Sequence, residues 1–171
     1  MINVSAERIE AVFLEIASLI SEPAFLVVEH GTNLAEEKKL RKHESDPLHN
    51  DVNYLDGIGF ERLKQIVSRY REFFVHDGSL GFGYGAHGVK DEVFVSGYKI
   101  FAIYTQTPEK YAASLGELGF RQEARLRTVR DTFTPSTPGN RSRIRVEGRT
   151  IYDMVDELKK EGLYLAERRE D

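Results

Sequence analysis

Apolar residues recur at helical spacing in residues 5–21, where Ile9, Val12, Phe13, Ile16, Leu19 and Ile20 share one stripe. Ser5 stands at a capping position, and Glu22-Pro23 ends the run. The unbroken apolar stretch Ala24-Phe25-Leu26-Val27-Val28 then predicts a strand covered on both faces. A second helical stripe, Phe60, Leu63, Ile66, Val67, Tyr70 and Phe74, closes near Asp77-Gly78. Strand patterns follow at 79–85, 91–97 and 98–106. Thr107-Pro108 opens a third helix with Tyr111, Leu115 and Leu118 on its stripe and Gly119 at its end. Two arginine-bearing strand patterns, 121–130 and 141–149, flank a loop rich in Thr, Ser, Pro and Gly. Thr150 and Asp153 form a capping box for a last helix carrying Ile151, Met154, Val155 and Leu158.

This order predicts an α+β domain, a mainly antiparallel sheet with about four helices packed largely on one face. Residues 98–128 read strand-helix-strand and allow a single right-handed β-α-β crossover. One domain spans residues 1–171, with 35–58 expected as a mobile polar insertion and 167–171 as a frayed tail.

Composition narrows the class. With 40% hydrophobic and 30% charged residues the chain is ordinary for a soluble globular protein. No apolar run reaches the ~20 residues that cross a bilayer, so no membrane partner is expected. The absence of cysteine excludes disulfides, thiolate metal sites and a cysteine nucleophile, and a cytoplasmic location is the default. No motif calls for a cofactor.

The net charge of −4 is unevenly spread. Residues 121–149 hold eight arginines against three acids, a net of +5, whereas residues 1–120 carry −6 and residues 150–171 carry −3. In Arg125-Leu126-Arg127 and Arg141-Ser142-Arg143-Ile144-Arg145-Val146 every second residue is arginine, which in an extended chain gives one arginine face and one apolar face. If the two segments pair as a hairpin, charge selects the register that sets Glu123 opposite Arg149, Arg125 opposite Glu147 and Asp131 opposite Arg141. Arg127 then faces Arg145, with Arg143 diagonal to it.

That surplus, with Arg130 beside it, forms the first candidate site: Arg127, Arg130, Arg143 and Arg145. It suits a non-enzymatic binding or regulatory domain that docks an acidic partner, either a protein surface or a phosphate-bearing ligand, on an arginine-rich sheet face. A homo-oligomer that sets the arginine face against an acidic patch of its twin is a further arrangement.

The alternative is a small enzyme or ligand-binding protein with a pocket over the glycine-rich strand 79–88. Gly81, Gly83 and Gly85 leave one strand face bare, with His76, Tyr84 and His87 nearby in sequence. The stretch lacks both the dinucleotide and the P-loop spacing. His43, Asp46, His49, Asp51 and Asp56 supply metal-ligand types without a metal-site spacing, and read as a solvated acidic loop.

Overall fold

The computed structural model describes residues 1–170. A 3₁₀ turn (Ala6–Arg8) leads into α1 (Ile9–Ser18), followed by β1 (Ala24–Gly31), α2 (Leu34–Leu40) and β2 (His49–Ile58). Then come α3 (Phe60–Arg69), α4 (Arg71–His76), β3 (Leu80–Ala86), β4 (Asp91–Val95) and β5 (Phe101–Tyr104). After α5 (Pro108–Glu117), a 3₁₀ turn (Val129–Thr132), α6 (Ile151–Lys159) and β6 (Tyr164–Glu170) complete the chain. The strands form one six-stranded sheet in the order β5-β4-β3-β1-β2-β6. Every neighbouring pair is antiparallel.

The α+β architecture is therefore as the pattern predicts, with six α-helices in place of four. One extra helix arises because the 60–74 stripe breaks at Tyr70, whose backbone leaves the helical region (φ −115°, ψ 22°). The break lets the Tyr70 phenol donate to Glu157 of α6 at 2.6 Å while its ring stays buried. The main core lies between the helices and one sheet face. Phe13, Ile16, Leu63, Phe74 and Met154 from the helices meet Leu26, Val28, Phe82, Tyr84 and Val93 from the strands. On the other face Phe25, Val27 and Val52 form a small cluster flanked by Tyr54 and Phe94. Among the described residues, no helix is long and apolar enough to cross a membrane.

The second extra helix, α2, lies in the stretch 35–58, where a mobile insertion was expected. The polar residues of that stretch divide: Lys38, Lys39, Lys42 and His43 are exposed, whereas Glu37, Asp51 and Asn53 are buried against protein partners. The Glu37 carboxylate accepts the His49 backbone N–H at 2.8 Å and its ring Nδ1–H at 3.1 Å. Asp51 accepts from Thr32 at 2.9 Å and from Arg168 Nε at 2.5 Å. Asn53 donates to the Val28 carbonyl and to His30 Nε2, both at 3.3 Å. Burial lowers the pKa of His30, against the raising effect of the Gly31 carbonyl and Asp51, so the ring is held neutral. Polarity here marks a buried network on β2, and the same network retains β6. Residues 167–170, expected to fray, are paired with β2, and only Asp171 lies outside the described residues.

Two expectations for the arginine region are corrected. Residues 98–128 contain no crossover, because no strand follows α5 in that range. Nor do 121–130 and 141–149 form a hairpin, because the residues assigned across it are engaged elsewhere. Asp131 caps the Val129–Thr132 turn by accepting the Thr128 backbone N–H at 2.6 Å. Arg149 pairs with Glu157 of α6 at 2.6 Å, and Glu147 sits in a tight turn at φ +51°. The alternation itself persists: Arg143 and Arg145 are exposed, whereas Ile144 and Val146 pack against the main core.

Candidate anion-binding cleft

Residues 141–144 lie against the turn that precedes β3. Gly78 N–H donates to the Ser142 carbonyl at 2.8 Å, and Ile144 N–H donates to Asp77 Oδ2 at 3.0 Å. Asp77 is fully buried, and its other oxygen accepts the Ser79 N–H at 2.9 Å and the Ser79 hydroxyl at 2.6 Å. This one carboxylate fixes both the turn and the arginine segment. Glycine is needed where the backbones stack: a Cβ at Gly97 would lie 2.5 Å from the Gly78 carbonyl oxygen, and one at Gly78 would lie 3.1 Å from Ser142 N.

Two cavities adjoin at this end of the sheet and share part of their lining, as two lobes of one cleft. The outer lobe, about 170 Å³, has Gly81 and Phe94 in its lining together with Tyr98, Arg130, Ser96 and Glu29. The inner lobe, about 190 Å³, is lined by Gly31, Thr32, Glu37, His49 and Arg143. Asn50, Ser79 and Arg141 line both. Aromatic rings position the guanidinium groups. Arg130 and Arg141 lie 5.7 and 5.4 Å from the Tyr98 ring centroid, and Tyr98 in turn packs on Phe133. Arg143 lies 5.5 Å from the Tyr152 ring centroid. Its Nη2 passes 3.1 Å from where a Gly31 side chain would begin, so glycine at that position makes room for the guanidinium.

The four arginines predicted from the sequence separate. Arg130 and Arg143 line the cleft, one in each lobe. Arg145 lies beside it, lining an adjoining cavity with Asp77 and Tyr152 and donating to the Gly148 carbonyl at 3.2 Å. Arg127 is held elsewhere, its carbonyl accepting from Asn3 Nδ2 at 2.7 Å. Among the described residues, Arg127, Arg130, Arg143 and Arg145 form no ion pair. The alternation foreshadows Arg141 as a cleft residue, but register assigned it to Asp131. No spacing signal announced the Glu37–His49 pair, because their elements meet only in the folded chain.

The three residues of the alternative pocket do not converge. Tyr84 lies in the helix-covered core and donates to the Ile58 carbonyl at 3.3 Å. Its pKa is pushed up to about 12 by burial, with a smaller contribution from Glu22. His87 stands on the opposite face, stacked on Phe25 at 4.4 Å and 3.8 Å from Asp56. His76 is exposed at the end of α4, 3.7 Å from Glu72. The bare glycine face is filled from within the sheet. A Cβ at Gly83 would meet Phe94 and Val27 at 2.9 Å, and one at Gly85 would meet Phe25 at 2.7 Å.

The five residues of the predicted acidic loop also disperse. Asp46 Oδ2 caps the Lys42 and His43 backbone N–H groups, which hold its carboxyl below the usual range, whereas His49, Asp51 and Asp56 belong to β2. Among the described residues, no three His, Cys, Asp or Glu side chains are grouped to hold a metal ion. In comparisons with known proteins, no family model, no curated protein and no solved structure matches this chain.

Proposed function

We propose that this chain is a non-enzymatic binding domain that docks an acidic polypeptide segment across the two-lobed cleft. The observation that carries the reading is the position of Arg130 and Arg143, one in each lobe, neither in an ion pair with a described residue. The lobes are small, about 170 and 190 Å³, and a ligand would have to fill both to reach the ~300 Å³ of an ordinary small-molecule pocket. A lobe of that size accommodates one side-chain group, and two joined lobes suit an extended chain with acidic side chains spaced along it. Nucleic acid is the poorer fit. The Tyr98 ring that would stack a base is already flanked by two guanidinium groups and Phe133. Glu29 in the outer lobe opposes a phosphate backbone running the length of the cleft. A cytoplasmic setting accords with a chain free of cysteine.

Fluorescence anisotropy with a labelled Asp/Glu-rich peptide tests the reading. Affinity should fall several-fold between about 50 and 300 mM salt, since the contacts are exposed ion pairs. Arg130→Ala with Arg143→Ala should remove binding without lowering the melting temperature, while Arg127→Ala leaves it unchanged. Salt-independent binding, or a double variant that binds normally, overturns the proposal. Self-association at low salt that the double variant loses would identify a second copy as the acidic partner.

A further inference from the structure

Resting on that docking reading, we infer that the inner lobe receives a phosphoryl group carried on a serine or threonine of the acidic segment. A carboxylate is planar and is satisfied by one guanidinium edge, whereas a phosphoryl group presents three oxygens in different directions. The inner lobe offers groups from different walls. Arg143 comes from the arginine segment, its face held near Tyr152 and its N–H edges left for a ligand. His49 and Asn50 come from the first residues of β2.

His49 adds a ring edge to this lobe from the start of β2. Glu37, itself buried, grips both the backbone N–H and Nδ1–H of His49. This fixes the ring and leaves Nε2 as the only ring nitrogen available to a ligand. The charged groups around the ring are Glu37 from α2, Arg141 and Arg143 from the arginine segment, and Glu170, the ladder partner of His49 on β6. At about 190 Å³ the lobe is too small for a nucleotide.

Two labelled acidic peptides of identical sequence, one with serine and one with phosphoserine at the centre, test this on the intact protein. The phosphopeptide should bind at least about tenfold tighter (1.4 kcal/mol at that ratio). Arg143→Ala should bring the two affinities together, whereas Arg130→Ala should weaken both peptides alike. His49→Gln should reduce the phosphopeptide preference while circular dichroism stays unchanged. Equal affinities for the two peptides, or a preference that survives Arg143→Ala, overturn the phosphoryl inference and leave the docking reading standing. If neither peptide binds in a salt-dependent way, the docking reading itself falls.

Discussion

Arg168 and Arg143 both sit on extended segments of this chain, yet one is committed and the other is not. Arg168 donates to both oxygens of Asp51, at 2.5 and 3.1 Å, and so joins the edge strand β6 to β2. Arg143 meets an aromatic ring and a glycine backbone, and is exposed. The same division holds across the molecule. Arg62 and Arg69 share Glu161, and Arg71 bridges Glu10 and Glu72. The arginines packed with acids hold elements together, whereas Arg130 and Arg143 are held in place by Tyr98 and Tyr152. An aromatic face orients a guanidinium without using its N–H edges, which is what a recognition residue requires.

The most damaging single change to the uncommitted group should be made outside it, at Asp77. Asp77→Asn puts an amide where the buried carboxylate accepts from Ser79 and Ile144, so that one N–H faces another. We expect a loss of about 2–4 kcal/mol in urea unfolding, together with loss of peptide binding. Retained binding with Arg143 still in place would show that the 141–144 segment does not depend on this latch.

Asp51→Ala attacks the committed group. It strands the Arg168 guanidinium and the Thr32 hydroxyl in a largely buried setting, at a cost of about 2 kcal/mol, and should speed hydrogen exchange in residues 164–170. Burial tends to raise the Asp51 pKa, but the Arg168 and Thr32 hydrogen bonds outweigh it and the net shift is downward. The stability this residue contributes is therefore present above the ordinary carboxylate range and is lost as pH falls through its depressed value. Acid unfolding of the Asp51→Ala variant should be flatter below about pH 4 than that of the parent.

Lys99 is the intermediate case, neither ion-paired nor free. Its ammonium donates to the Leu80 carbonyl at 3.0 Å and lies 5.8 Å from the centre of the Phe82 ring. Burial lowers its pKa to about 8 from the usual 10.5, with the Asp77 charge opposing the shift. Between those two values the unfolded chain binds more protons than the folded one, so stability should rise with pH across that window. Below about 8 both states are protonated and the penalty is complete. Lys99→Met should flatten the slope and raise stability at pH 7 by about 1–2 kcal/mol, discounted for partial exposure. A parent curve flat over this window would remove the argument.

The contrast between committed and uncommitted arginines also explains what the sequence could show. Helix stripes, the Thr150–Asp153 capping box and strands β3, β4 and β5 were legible because each depends on neighbours within a few residues. The arginine alternation was legible in the same local sense, since Ile144 and Val146 do turn inward. Its pairing was not. Asp131 could reach Thr128, three residues away, more readily than Arg141 across a loop, and Glu157, the partner of Arg149, lies outside both arginine segments. Likewise, Glu37, Asp51 and Asn53 looked like solvent-facing polarity until β1, α2 and β6 supplied partners. Local rules fix which face is polar, while long-range contacts decide whether that polarity meets water or protein.

The smallest expected effect gives the finest test of the comparison. Arg143→Ala removes an exposed guanidinium with no carboxylate partner among the described residues, losing one ring contact and some packing over Gly31. Exposed interactions of that type contribute up to about 0.5–1 kcal/mol. Easing the repulsion within a segment of net +5 offsets part of the loss. The unfolding free energy should therefore stay within about 0.5 kcal/mol of the parent, whereas Arg168→Ala, which leaves the Asp51 charge with only the Thr32 hydroxyl, should cost about 2 kcal/mol. Paired urea titrations at one pH and ionic strength measure both. If Arg143→Ala destabilises as much as Arg168→Ala, Arg143 is a structural residue and the cleft loses its claim to be a recognition site. If it leaves stability intact while binding disappears, the charge at Arg143 is held in reserve for a ligand.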